Sequence, residues 1–288
     1  MLNLKITLIY VAVIQCSSSN NVSEEINPAN IERLFGGQYV ESIDQFPFQA
    51  AIFYYNKFIC GGSVIDSEHI LTAAHCVGMN SNKSGFLIGV GAIRLTNLSI
   101  FPVAELLRHR DYSPRHLAND IALIKVALGT HKFPEEVKPI ELDETRYIKS
   151  RTQCTIVGWG KSERSQSPNE LSFGHVNIVR PGICRNAFRT SLQRGTVCAE
   201  GIRVGSCEGD SGGGLICNNV LSGVTSYARF GYPDCAKSPT VYTQVFAFRH
   251  WIDRQIKGGS SRTTQHSIYL IVLKVLSIFV STCLLYKL

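Results

Sequence analysis

Between Leu34 and Lys257 the apolar residues come in short runs broken by Gly, Pro and Asn: Gln49 to Tyr55, Ser63 to Ile65, Ile121 to Val126, Thr155 to Gly158 and Leu221 to Ser226. Runs of that length bounded by turn residues predict the short strands of an all-β protein. One helical pattern stands out near the end of this span, where Val245, Phe248, Ile252 and Ile256 recur at helical spacing and Thr243 is placed to cap the start. No internal repeat is strong enough to divide the span.

The ends follow other patterns. Lys5 and the N-terminal amine precede an apolar run, Ile6 to Ile14, and then Cys16-Ser17-Ser18-Ser19. That order reads as a secretory signal peptide over residues 1–18, because the run is too short to cross a bilayer. The polar stretch Ser19 to Glu32 has no core-forming periodicity and reads, with Arg33, as a pro-peptide over 19–33. At the far end Ile268 to Leu285 is apolar but carries Lys274, Ser277, Ser281 and Thr282. A lysine near mid-membrane costs about 2.5 to 3.5 kcal/mol on insertion scales, so the tail makes a poor stop-transfer helix. Small residues Gly258-Gly259-Ser260-Ser261, a polar spacer to His266 and the apolar end fit a signal for a glycosylphosphatidylinositol (GPI) anchor over 258–288. A transmembrane anchor and an incidental extension are the other readings of the tail.

Composition narrows the setting. Of ten cysteines, Cys16 falls in the signal and Cys283 in the tail, which leaves an even set suited to an oxidising compartment. Spacing alone assigns no partners among them. Asn21, Asn82 and Asn97 each open an Asn-X-Ser sequon; Asn21 would leave with the pro-segment, so Asn82 and Asn97 are the expected glycosylation sites. The net charge of +7 is spread along the chain rather than clustered with aromatics, which reads as a solvated surface and argues against nucleic acid as a partner. No Cys/His spacing suits zinc and the loop after His75 lacks acidic calcium ligands, so no metal or other cofactor is expected.

Three segments carry candidate chemistry: Leu71-Thr72-Ala73-Ala74-His75-Cys76, Asn119-Asp120-Ile121-Ala122-Leu123 and Gly209-Asp210-Ser211-Gly212-Gly213. Singly, each has a plain structural reading: a histidine beside a cysteine, an Asp before an apolar strand, a glycine-rich loop. In the order His75, Asp120, Ser211 they resemble the chymotrypsin-like (trypsin-like, S1-type) serine protease family, from about Leu34 to Lys257. The resemblance implies two antiparallel six-stranded β-barrels side by side with a C-terminal helix, His75 and Asp120 coming from the first barrel and Ser211 from the second. It implies Ser211 as nucleophile, His75 as base and then acid, Asp120 as the group that fixes the imidazole, and the N–H groups of Gly209 and Ser211 as an oxyanion hole. Disulfides Cys60–Cys76, Cys154–Cys217, Cys184–Cys198 and Cys207–Cys235 come from the same source. So does activation: Arg33-Leu34-Phe35-Gly36-Gly37 resembles the family's cleavage junction, with Leu34 as the new N-terminus whose amine would pair with Asp210. The protease domain would then span 34–257.

The substrate pocket is read the same way. Gly205 matches the position at its base, where trypsin-like members carry aspartate, so a basic residue before the scissile bond is not expected. Ala228 and Thr240 match the walls and resemble a shortened apolar pocket; Gly205 pulls the other way by adding depth. Small or medium apolar residues are expected (elastase-like), with larger apolar ones (chymotrypsin-like) as the alternative. Glu208 would sit at the rim and repel acidic substrate residues, and Ser226, Tyr227 and Ala228 would offer a backbone edge to the substrate. Departures from the family pattern are Leu34-Phe35 at the junction, Phe58 where some zymogens have a histidine, and Gly214 in place of a proline. The expectation is a monomeric, secreted or surface-anchored endopeptidase acting on proteins or peptides, whose partners would be an activating protease and a protein inhibitor. The rival is a non-catalytic protease homologue that binds a partner with the same fold.

Overall fold

The computed structural model describes residues 36–78, 82–161, 169–189, 192–229 and 234–258. The signal, the cleavage junction with Arg33 and Leu34, and the tail beyond 258 lie outside the described residues. Thirteen strands run in chain order: β1 Gln38–Tyr39, β2 Gln49–Tyr54, β3 Lys57–Val64, β4 His69–Thr72, β5 Phe86–Val90, β6 Ser99–Arg108, β7 Ala122–Val126, β8 Gln153–Gly158, β9 Ser172–Ile178, β10 Thr196–Glu200, β11 Gly214–Cys217, β12 Val220–Ala228 and β13 Thr240–Gln244. Among the described residues two α-helices accompany them, α1 Pro181–Phe188 and α2 over residues 245–258.

Strands β2-β3-β4-β7-β6-β5 close into one antiparallel barrel, because β2 pairs both β3 and β5. Strands β9-β10-β13-β12-β11-β8 form a second, closed by the β8–β9 ladder, and β1 adds to the free end of β9. Closure leaves almost no exposed strand edge. Local chemistry sets the registers. Tyr55 and Asn56, with φ of 46° and 62°, form the two-residue turn of the β2–β3 hairpin, and Asn218 and Asn219, at 52° and 65°, do the same between β11 and β12. Paired positive φ values match the twist of the flanking strands. In β9, Ser172, Val176 and Ile178 point inward while His175 and Asn177 face solvent, the two-residue alternation of a half-buried strand.

The first barrel is filled by Ile52, Ile70, Leu71, Ile88, Leu123 and Ile124, all fully buried. A separate cluster of Ile156, Val176, Leu215 and Tyr242 fills the second. Although α2 follows the last strand of the second barrel, its Val245, Phe248, Trp251 and Ile252 join the first barrel's cluster, with His109 stacked on Phe248 and Trp251. The helix therefore straps the two barrels together. Its expected cap is corrected here: Thr243 is buried inside β13 and its hydroxyl donates to the carbonyl of Asp120, so it is not available to the helix N-terminus. Among the described residues no helix is long and apolar enough to cross a membrane.

Four disulfides are present: Cys60–Cys76, Cys154–Cys217, Cys184–Cys198 and Cys207–Cys235. Cys154–Cys217 closes 63 residues and Cys184–Cys198 only 14. Replacing both cysteines of the first bridge by Ala should lower stability by about 4 kcal/mol, against about 3 kcal/mol for the second, because the longer loop regains more unfolded-state entropy. Urea midpoints of the two double variants check the order.

Candidate active site

The site is built where the two barrels meet. β4 is buried throughout and delivers Thr72, whose hydroxyl donates to the Gly61 carbonyl at 2.9 Å. The chain then turns through a 3-10 segment, Ala74–Val77, fixed to β3 by the Cys60–Cys76 bridge. This leaves His75 about a quarter exposed (26%) beside a fully buried Asp120. The His75 backbone N–H donates to Asp120 Oδ1 at 2.9 Å and its Nδ1 stands 2.8 Å from Oδ2. A carboxylate only accepts, so Nδ1 carries the hydrogen and a neutral ring keeps its lone pair on Nε2. On the approach to Asp120, Leu117 and Asn119 both have positive φ, and Asn119 Nδ2 donates to the Asp111 carbonyl at 2.9 Å.

The second barrel supplies the remaining donors. Ser226 Oγ donates to Asp120 Oδ2 at 2.6 Å, and Thr243 Oγ1 to the Asp120 carbonyl at 2.8 Å. Ser226 points there because β12 is bulged: Thr225 faces Tyr242 and Tyr227 faces Val241, so Ser226 is the extra residue. The bulge re-aims one hydroxyl out of the ladder and into the seam.

Ser211 lies in a loop whose glycines are sterically required. Gly209 has φ +99° and a Cβ there would fall 3.1 Å from the Gly160 Cα; Gly212 has φ +77° and its Cβ would meet Thr72 Oγ1 at 2.2 Å. The loop's N–H groups divide into two sets. Those of Asp210, Gly212 and Gly213 donate to Cys207, Thr225 and Asp210 carbonyls, and the Ser211 carbonyl accepts from Gly61. Among the described residues the N–H groups of Gly209 and Ser211 have no acceptor. Ser211 Oγ is not hydrogen-bonded to His75 in this structure; such bonds tighten only when substrate is engaged.

Asp210 is buried between Gly158 and Gly160, either of which would collide with it if it had a side chain. Its carboxylate accepts the Gly160 N–H at 2.8 Å and the Cys207 N–H at 2.9 Å. Burial pushes its pKa up to about 7, against the pull of those two donors. Among the described residues no cation pairs with it. Phe58 packs edge-on against Trp159 and borders Gly209, presenting no polar atom to this corner.

Beside Ser211 is a cavity of about 250 Å³, lined among the described residues by Ser206, Cys207, Glu208, Thr225, Ser226, Tyr227, Ala228 and Thr240. Ala228 and Thr240 thus face it, and Gly205 does not. A Cβ on Gly205 would come 2.8 Å from the Cys235 carbonyl, so the glycine serves close packing against the Cys207–Cys235 bridge rather than depth. The sequence pattern missed Ser206, whose Oγ lies 3.1 Å from the buried Tyr242 hydroxyl. It also missed Lys161, whose ammonium is ion-paired with Glu208 at the rim and whose N–H donates to the Glu208 carbonyl. Glu208 is thus half exposed at the rim and carries a cationic partner there. Asn82 and Asn97 are exposed on 3-10 turns. Cys60, His75 and Cys76 approach one another closely, but both sulfurs belong to one disulfide and offer no thiolate to a metal.

The sequence profile of the trypsin family matches residues 35–252. The chain belongs to the trypsin family of serine proteases. Trypsin delta of Drosophila melanogaster is 31% identical over 85% of this chain and 97% of its own length. Granzyme C of Mus musculus is 30% identical over 80% of this chain and 93% of its own. Among solved structures, neuropsin, a serine protease expressed in the limbic system of mouse brain, superposes with a TM-score of 0.69 at 30% identity, covering 76% of this chain and 98% of that one. As a trypsin-family member this chain is a serine endopeptidase, a hydrolase acting on proteins.

Ser226→Ala removes one of the donors on a fully buried carboxylate. Hydrogen bonds to charged groups contribute about 1.5 to 3 kcal/mol, and a loss of that size in urea unfolding is expected. Thr243→Ala, which touches only the neutral carbonyl, should lose less.

Proposed function

We propose that this chain is a secreted or membrane-anchored serine endopeptidase, made as a zymogen and activated by cleavage after Arg33. The observation that carries the reading is the pair of unpaired N–H donors at Gly209 and Ser211, held in a loop whose other donors are used and placed beside a buried His75–Asp120 pair. Two amides left without an acceptor beside a serine hydroxyl are available to a ligand, and a developing oxyanion is the partner they suit. Ser211 Oγ would attack the scissile carbonyl carbon as His75 Nε2 takes its proton. Asp120 would hold the imidazole in the tautomer that allows this and stabilise the cation formed. Collapse of the tetrahedral adduct would return that proton to the leaving amine, and water would repeat the sequence on the acyl-enzyme.

Activation follows from Asp210. Burial favours its protonated form in the uncleaved chain. A new amine at Leu34 would ionise it and lock the loop that carries Gly209 and Ser211. The pocket favours small or medium apolar residues before the scissile bond, since Ala228 and Thr240 line it and Glu208, its one charged lining residue among the described residues, is ion-paired with Lys161. The signal peptide over 1–18 and the GPI-type tail over 258–288 complete the reading, with four disulfides in support of an oxidising destination.

Substrate profiling of the full chain before and after cleavage at Arg33, with Ser211→Ala as control, tests the reading. Turnover after Ala, Val or Leu, gained on cleavage and lost in the control, is expected. An activated form with a correct Leu34 N-terminus and no turnover would establish the non-catalytic homologue instead. pH gives a second test. The folded uncleaved chain keeps a proton on Asp210 to about pH 7 that the unfolded chain releases above the ordinary 3.8. The group's contribution to stability therefore falls as pH rises between about 4 and 7. Asp210→Asn should flatten that slope in urea midpoints, and cleavage at Arg33 should flatten it in the parent chain.

A further inference from the structure

Cations that are scattered along the sequence gather in space on the second barrel. Arg146 and Arg180 line a cleft of about 120 Å³ whose floor includes Ile148, Val179, Pro181 and Val197. The turn carrying Lys149 and Arg151 is fastened to the same place, since the Arg151 N–H donates to the Ile178 carbonyl at 2.8 Å and Ser150 is itself a lining residue. Arg194 stands two residues from each of the lining residues Leu192 and Thr196, on a turn tied to the cleft by Gln244: its N–H bonds the Gly195 carbonyl, while its Nε2 donates to the Arg146 carbonyl at 3.1 Å. All five side chains are exposed, and among the described residues none makes an ion pair. Glu144, two residues from Arg146, is turned to Arg249 at 3.5 Å. Among the described residues no carboxylate lines the cleft.

We propose that this cleft is a docking surface for a sulfated polysaccharide chain, separate from the site at Ser211, with which it shares no lining residue. Unneutralised like charges around a concavity raise the local potential and hold counterions that a polyanion would release. Four of the five are arginines, whose planar forks match the oxygens of a sulfate. A concave rim admits a linear chain better than a flat bilayer. The choice of sulfated polysaccharide over nucleic acid rests on the secreted reading above; the cation cluster itself does not.

The test uses the full chain and a heparin octasaccharide as probe, titrated calorimetrically across a range of salt. The triple variant Arg146→Gln, Arg151→Gln, Arg180→Gln should weaken binding about tenfold or more at 0.15 M salt and lower the log–log salt slope by about 2, at roughly 0.7 to 0.9 per lost contact. A control triple of equal charge, Lys57→Gln, Arg115→Gln, Lys132→Gln, should change affinity less than about twofold, since none of those residues lines the cleft. Equal losses in both triples, or no binding by the parent chain, would overturn the proposal. Tighter binding to single-stranded DNA or to phosphatidylserine vesicles than to the octasaccharide would overturn the choice of ligand. Arg180→Gln alone, with its thermal midpoint measured, guards against a misfolded triple. Repeating the titration with Ser211→Ala separates this surface from the catalytic reading, because the patch effect should persist there unchanged.

Discussion

The site depends on one buried carboxylate shared by two barrels. Asp120 lies two residues before β7 of the first barrel, yet it accepts from Ser226 on β12 as well as from His75, and Thr243 on β13 holds its carbonyl. An anion with no exposed surface is stable only when its lone pairs are met by donors in fixed positions. Because those donors come from opposite sides of the seam, satisfying Asp120 and docking the barrels are the same event. The strap of α2 across the first barrel's core supplies apolar area to hold that docking together.

Around this anchor the loop 205–213 is organised by exclusion. Gly209 and Gly212 adopt backbone that side chains would obstruct, and the N–H groups of Asp210, Gly212 and Gly213 are used in the turn. What remains is a small concave spot with two donors and a hydroxyl. Asp210 sits directly beneath it, so a change in its charge reaches both donors through one peptide on either side. The activation and the oxyanion binding proposed above would thus draw on the same few atoms.

Much of this was legible in the sequence because the relevant signals are local. The Thr-Ala-Ala-His-Cys and Gly-Asp-Ser-Gly-Gly stretches are constrained by their own backbones, and the runs at β2, β7, β8 and β12 are apolar enough to stand out. Elements that lack a local signature stayed hidden. Helix α1 buries only Cys184 and so has no apolar stripe, and β1 has two residues. Inward positions of β9 include Ser172 and Gly174, which read as loop. Partnerships between distant segments were beyond sequence for the same reason. Lys161 meets Glu208 across 47 residues, Thr243 is drawn from its capping role by Asp120, and Gly205 proves to be a packing residue only once Cys235 is in place.

The bulge in β12 sets a constraint of a different kind. Ser226 reaches the seam only because one residue too many occupies the strand between Thr225 and Tyr227. Deleting that residue would leave Thr225 opposite Tyr242 and Tyr227 opposite Val241 in a regular ladder. Tyr227 and Ala228 would keep their strand partners beside the cavity, while the Asp120 carboxylate lost the hydroxyl that the second barrel lends it. The length of this strand is therefore as much a part of the site as its side chains, because the one residue that the ladder does not need is the one that crosses the seam.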